Sequence, residues 1–148
     1  MALRMKGVVL VLAGVAAVGA ITACGGGQGS ISGPQATQYT LTTIDGHALP
    51  HQTSQSSDGT VTTVVNDMLL TVVDDRSWHS VGHQTVSTNG VPSVEVFRDN
   101  GTYATSTVPG ANETAFRDTA GDLVWVGSIT EREVSLAGAD SLRWVFDR

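Results

Sequence analysis

The sequence is poor in cysteine and in positive charge. Its 148 residues contain one cysteine, and eight lysine and arginine residues stand against 14 aspartate and glutamate residues. A single cysteine excludes an intramolecular disulfide, so the folded part must hold by packing and backbone hydrogen bonds. The net charge of −6 repels nucleic acid phosphates. We therefore predict no nucleic-acid partner.

The chain also lacks the local sequences that mark common enzymes. It has no Gly-x-Ser-x-Gly segment. Two pairs of histidines are spaced four apart, His47 with His51 and His79 with His83. On a predicted strand the second pair lies about 13 Å apart, too far for one zinc ion, and the first pair lies around a turn. Asp74-Asp75 is interpreted as an acidic hairpin turn. We predict no enzyme activity, no cofactor and no metal site.

No apolar run is long enough to cross a bilayer as a helix. Residues 7–21 form the longest one, 15 residues against the roughly 20 that a span needs. Arg4 and Lys6 precede this run and small residues follow it, a pattern typical of a helical signal peptide. Ile21-Thr22-Ala23-Cys24 resembles the lipobox of bacterial lipoproteins. The resemblance implies a signal peptide over residues 1–23, cut before a cysteine whose thiol carries a lipid such as palmitate-containing diacylglyceryl.

Lipidation at Cys24 determines the expected location. Two or more acyl chains anchor a protein stably to a membrane, so the membrane is the predicted partner through this residue. Gly25, rather than Asp, follows the cysteine, which resembles the outer-membrane sorting rule for lipoproteins. We expect the outer membrane facing the periplasm in a two-membrane cell, and otherwise the outer face of the cell membrane. The alternatives are an uncleaved anchor, or ordinary cleavage that leaves a free thiol.

The rest of the chain divides by composition into a tether and a domain. Residues 24–38 are rich in Gly, Ser and Gln, which predicts a flexible tether behind the cysteine. Residues 39–148 are rich in Thr, Val and Ser, with turn signals every 8–12 residues, and we expect eight to ten short strands there. The predicted turns include Asp45-Gly46, Asn66-Asp67, Asn89-Gly90 and Asp99-Asn100-Gly101.

These strands predict an all-β fold with little or no helix. Leu142, Trp144 and Phe146 alternate with polar residues, and Leu123 and Trp125 share a face of another strand. A small antiparallel up-and-down barrel is favoured because closure removes exposed strand edges. A β-sandwich is the alternative.

Several short segments resemble small bacterial lipocalin-like lipoproteins, most of which are uncharacterised. The opening Tyr39–Pro50 is similar to their first strand and turn, Met68–Trp78 to their acidic hairpin, Gly101-Thr102-Tyr103 to a Gly-x-Tyr segment, and Trp144–Arg148 to their last strand. Asp74-Asp75-Arg76 lacks the glycine usual in that acidic turn. The resemblance implies a lipocalin-like barrel in the cell envelope.

A lipocalin-like barrel implies a small apolar ligand in its mouth. The candidate lining consists of Leu123, Trp125, Leu142, Trp144 and Phe146. An eight-stranded interior holds either packed side chains or one small ligand. Two functions therefore remain open: binding of a small hydrophobic ligand, or a structural or protein-interaction role with a filled core.

Overall fold

The computed structural model describes residues 33–108 and 111–148, and these residues form ten strands and no helix. The all-β prediction is confirmed. The predicted signal-peptide helix, Cys24 and most of the predicted tether lie outside the described residues. The strands are β1 (Ala36–Ile44), β2 (His47–Ala48), β3 (His51–Gln55), β4 (Val61–Val73), β5 (Ser77–Thr88), β6 (Val91–Thr105), β7 (Thr114–Asp118), β8 (Leu123–Ile129), β9 (Glu133–Gly138) and β10 (Arg143–Asp147).

Eight of these strands close into an antiparallel barrel. Neighbouring strands pair in the order β1, β10, β9, β8, β7, β6, β5, β4, and β4 returns to pair with β1. The closing ladder runs from Ala36 opposite Val73 to Thr40 opposite Leu69. β2 and β3 are short additions to β1 and β4. The predicted barrel is therefore confirmed over the sandwich, and it is compatible with a lipocalin-like barrel.

The barrel interior is the hydrophobic core, because alternate residues of each strand point inward. Paired residues such as Leu70 with Tyr39, and Trp144 with Leu136, place their side chains on this inner face. The buried apolar residues are Tyr39, Leu41, Ile44, Val65, Met68, Leu70, Val72, Trp78, Phe116, Val134, Leu136 and Phe146. They come from six of the eight barrel strands, all but β6 and β8, so most of the barrel contributes to one core.

Two predicted turns have the backbone that tight hairpins require. Asp45 and Gly46 have φ of 52° and 77°, and Asn89 and Gly90 have 52° and 80°. Positive φ at both central residues matches the twist of the flanking strands. The acidic turn after β4 achieves the same reversal without glycine, because Arg76 adopts a φ of 71°. Val72 then pairs with Trp78, which fixes the register of that hairpin.

Two other predicted turns are wrong. Asn66-Asp67 is a bulge inside β4, where the ladder to β5 slips between Val65 and Asp67, and the Asn66 amide donates to Thr85 Oγ1 at 2.9 Å. Asp99-Asn100-Gly101 lies within β6. A Cβ on Gly101 would stand 1.8 Å from the Arg117 carbonyl oxygen, so this glycine permits close approach of β7.

Because these two turns are absent, β4, β5 and β6 are 13, 12 and 15 residues long and extend past one end of the barrel. Beyond the barrel, β5 continues to pair with β6 as far as Thr88 opposite Val91. There β3 pairs with the edge of β4 that faces away from β5. The result is a four-stranded sheet continuous with the barrel wall, which we call the extension.

β1 begins at Ala36, three residues before the predicted start of the domain at Tyr39. Ala36, Thr37 and Gln38 pair with the end of β4, and the Gln35 N–H donates to Asp74 Oδ1 at 3.0 Å. Within residues 33–108 and 111–148, no helix has the length and apolar character needed to cross a membrane.

Candidate functional site

Four of the five candidate ligand-lining residues lie at the same end of the barrel. Antiparallel pairing brings the start of β8, the end of β9 and the start of β10 together. Leu123 and Trp125 lie at the start of β8, Leu142 directly precedes β10, and Trp144 is its second residue. We call these four residues the rim. The fifth, Phe146, is fully buried in the core.

The rim is apolar with an acidic margin. Leu123 is 50% exposed, whereas Trp125 and Trp144 are half-buried against the core. An open surface depression of about 420 Å³ adjoins Leu123 and Trp125, and Asp118, Asp122 and Asp140 line it on the loop side. The Trp144 indole N–H is buried and has no acceptor among the described residues. The rim therefore has exposed apolar surface at Leu123, and its one unpaired donor among the described residues is buried.

Behind the rim the interior is occupied by packed aromatic rings. The Trp78 ring lies 5.8 Å from Phe116 in an edge-on arrangement and 5.1 Å from Trp125. Phe116 also stacks on Tyr103 at 5.8 Å. Trp78 and Phe116 are 1% and 0% exposed. Contacts of this kind stabilise a core beyond simple burial, so these rings form a rigid plug across the barrel.

The polar atoms of Trp78, Tyr39 and Tyr103 all have partners. Trp78 Nε1 donates to the carbonyl oxygens of Thr102 at 3.1 Å and Arg117 at 3.0 Å. Tyr39 and Tyr103 donate their hydroxyls to Thr130 O and Val73 O, each at 2.9 Å. Burial raises the pKa of both phenols. Neutral, bonded tyrosines close the end of the barrel opposite the rim.

The histidines lie at or near the surface, and the contact between His47 and His51 is not extended into a larger group of ligands. His79 and His83 are both on the outer face of β5, and His83 Nδ1 lies 2.8 Å from Asp67 Oδ1. The His47 and His51 rings stack at 5.1 Å. Among the described residues, no group of three or more His, Cys, Asp or Glu side chains is arranged to hold a metal ion.

The acidic turns use their carboxylates to hold the backbone. Asp58 Oδ1 accepts from Ser56 Oγ, Thr60 N and Thr60 Oγ1, and these bonds lower the pKa of Asp58 to about 2. Hydrogen bonds from the Ser77 side chain and N–H likewise lower the pKa of Asp75. Both groups are fully exposed and serve local turn geometry.

A second candidate surface was not predicted from the sequence. β7 pairs with β6 only between Gly101 and Thr105, so the side of Val91–Asn100 that faces away from β5 pairs with no strand that the structure describes. We call this segment the β6 edge. Val91, Val94 and Val96 are 70%, 69% and 49% exposed there. Pro92 was the available signal, because proline inside a strand pattern indicates an edge strand.

Comparisons with known proteins do not extend these observations. No model of a protein family matches the chain, and a search of curated proteins gives no significant match. Fold and geometry define the class, a closed eight-stranded antiparallel β-barrel with an extended sheet on one side.

Proposed function

We propose that this protein is a lipid-anchored protein of the bacterial cell envelope, related to the small lipocalin-like lipoproteins, that acts through its outer surface by binding another protein. The resemblance of Ile21-Thr22-Ala23-Cys24 to a lipobox supports the anchor. The barrel fold agrees with that relationship. The acidic, lysine-poor domain favours a protein partner over an anionic one.

One observation carries the choice of a surface function. The positions that would line a ligand cavity at mid-barrel are instead filled by Trp78, Phe116 and Phe146, each at most 1% exposed. Close-packed interiors leave little room for a guest. In contrast, the exposed large apolar side chains of β6 lie outside the barrel, and exposed apolar surface marks interaction sites.

The anchor is tested by mass spectrometry of the protein purified from membranes. We expect the N-terminal peptide to begin at Cys24 and to carry the added mass of a diacylglyceryl group. A Cys24→Ser variant should remain uncleaved and unlipidated. An unmodified thiol at Cys24 in the wild-type protein contradicts the anchor.

A second function, binding of a small apolar ligand at the rim, is favoured by Trp125, Leu142 and Trp144, which pack against the core at one end of the barrel, with exposed Leu123 beside them. Tryptophan fluorescence of the full chain, titrated with a fatty acid in detergent below its micelle concentration, separates the two functions. The surface function predicts no saturable change. A saturable change that Trp144→Phe removes supports the ligand function and contradicts the filled barrel.

A further inference from the structure

At alternate residues, the β6 edge has backbone hydrogen-bonding groups that pair with no strand in the described part of the chain. The Tyr103 N–H donates to Arg76 O at 2.9 Å, on the side of β5. The β5–β6 ladder continues from there to Val91 without a register shift. Because successive residues of an antiparallel strand turn their N–H and C=O groups to opposite sides, Val94, Val96 and Arg98 direct theirs to the open side. The Asn100 N–H already donates to Asp99 Oδ1 at 2.8 Å.

Pro92 limits how far this edge extends. Its position is also even-numbered, but proline has no N–H to donate. The usable edge therefore runs from Val94 to Asn100, which matches one added strand of about seven residues. At its barrel end, Arg98, Asp99 and Asn100 border an open depression of about 550 Å³ beside His79 and Val81. An added strand has room to begin there, next to the end of β7.

The opposite edge of the extension, formed by β3, is a poorer site for strand addition. β3 has five residues, all of them polar, and a register shift interrupts its ladder to β4 between Gln52 and Ser54. Short, polar and irregular edges resist strand addition. The β6 edge is longer and regular, and it is flanked by exposed valines, so it is the better site for a partner strand.

The side chains of the β6 edge define what such a strand must carry. Glu95, Phe97 and Asp99 share the inner face, and Gln84 Nε2 donates to Glu95 Oε2 at 3.3 Å on that same face. Val94, Val96 and Arg98 share the outer face. Directly opposed side chains in a sheet interact most strongly when their charges are opposite or when both are apolar. On the inner face, a partner strand should therefore carry a basic residue opposite Glu95, an apolar residue opposite Phe97 and a basic residue opposite Asp99.

A second copy of this chain fits poorly at the β6 edge. Two copies paired symmetrically in one sheet must set residues of the same face opposite each other. If the two-fold axis passes through Glu95, the Glu95 carboxylates of the two copies lie opposite each other. If it passes through Phe97, Glu95 of each copy lies opposite Asp99 of the other. If it passes through Val96, the Glu95 and Asp99 carboxylates of both copies, four in all, have no cation opposite them on the inner face. Charge thus disfavours self-pairing.

We propose that the β6 edge binds an extended segment of another envelope protein as an added antiparallel strand, with two basic residues spaced four apart opposite Glu95 and Asp99 and apolar residues opposite Val94, Val96 and Phe97. The inference rests on the proposed surface function and names the chemistry of its partner. Main-chain hydrogen bonds supply the affinity in such complexes, and the side-chain pattern supplies the specificity.

The test uses a designed peptide, Ser-Lys-Glu-Val-Val-Lys-Val, whose residues oppose Asn100 through Val94 in that order. We expect saturable binding to the full chain by fluorescence anisotropy. In hydrogen-exchange NMR the amides of Val94, Val96 and Arg98 should gain protection on addition of peptide. The odd-numbered amides already bond to β5 and should change little.

Three variants test the recognition. Val94→Pro removes a free edge donor without breaking a bond to β5 and should weaken the peptide at least tenfold. Glu95→Lys combined with Asp99→Lys should do the same, and a peptide with both lysines replaced by glutamate should then bind the double variant better than it binds the wild type. Glu131→Lys, in an exposed turn far from β6 along the chain, is a control with half that change in charge and should change binding less than twofold.

Several results would overturn the inference. Absence of peptide binding to the wild type is one, and binding that is unchanged by Val94→Pro and by the double charge reversal is another. A concentration-dependent dimer that Val94→Pro abolishes would assign the edge to a second copy. None of these outcomes bears on the anchor at Cys24 or on the fatty acid titration, so failure here is distinguishable from failure of the proposed function.

Discussion

Truncation of Phe116 tests whether the barrel interior is filled. The ring is fully buried and lies within 6.3 Å of the Trp78, Tyr103 and Trp125 rings, measured between centroids. Burial of a phenylalanine contributes about 1.5–3 kcal/mol, and each aromatic pair adds about 0.5–1.5 kcal/mol. Phe116→Ala should therefore destabilise the protein by about 4–5 kcal/mol, the upper part of the range for this substitution.

Urea unfolding of the full chain, followed by circular dichroism, measures this loss. With an ordinary dependence on denaturant, the midpoint should fall by about 2 M. If Phe116→Ala does not fold, the milder substitution Phe116→Leu can be used. It should lower the free energy of unfolding by about 1–2 kcal/mol. Leu123→Ala at the half-exposed rim is the control, and it should cost less than about 1 kcal/mol.

A second measurement distinguishes a filled core from a ring at the wall of a cavity. Benzene should raise the stability of Phe116→Ala, because an engineered apolar cavity takes up such a ligand, and it should leave the wild type unchanged. A loss below about 1 kcal/mol, or stabilisation of the wild type by benzene, would refute the reasoning and reopen the interior as a ligand site.

Three further substitutions test the backbone and the turns, each by urea unfolding. Gly101→Ala should cost at least about 2 kcal/mol because its Cβ would meet the Arg117 carbonyl, whereas Gly33→Ala, with open space around it, should be neutral; equal stabilities would contradict the close approach of β6 and β7. Arg76→Gly should stabilise the protein by about 0.5–1 kcal/mol by relieving a left-handed backbone, and a loss would show that the arginine side chain makes a needed contact. The lowered pKa of Asp58 means that its ionised form contributes stability above its ordinary value of 3.8, and this contribution is lost as pH falls towards about 2. Asp58→Asn should therefore be less stable than the wild type at pH 7, and the difference should disappear only below about pH 2. A difference independent of pH would contradict this origin.

Local sequence signals were sufficient for the strands and for some of the turns. The alternation of Leu142, Trp144 and Phe146 correctly placed their side chains inward, and Asn89-Gly90 correctly marked a two-residue hairpin. Asn66 and Gly101 misled because the same residue types also serve bulges and close strand contacts. Which role such a residue takes depends on a strand distant in the chain.

The candidate sites show the same limit. The alternation predicted that Leu123 and Trp125 share a face, which is wrong: the ladder to β7 shifts between them, so Trp125 opposes buried Phe116 whereas Leu123 opposes exposed Arg117. Only the barrel brings both to the same end as Trp144. The β6 edge is a missing pairing, and a missing neighbour leaves little trace in a single sequence. Its exposed Val94 and Val96 appear in the sequence as an ordinary alternating strand.

The closing position of β1 has a consequence for how the domain is made. β1 is hydrogen-bonded to β4 on one side and to β10 on the other, and the Thr42 hydroxyl donates to Val145, 103 residues further along the chain. During synthesis from the N-terminus, the barrel therefore cannot close until β10 has been made. This predicts that folding is slow and late. Until β10 is in place, β1 and β9 each have an unpaired edge. Loss of β10 would therefore leave two exposed strand edges that favour aggregation.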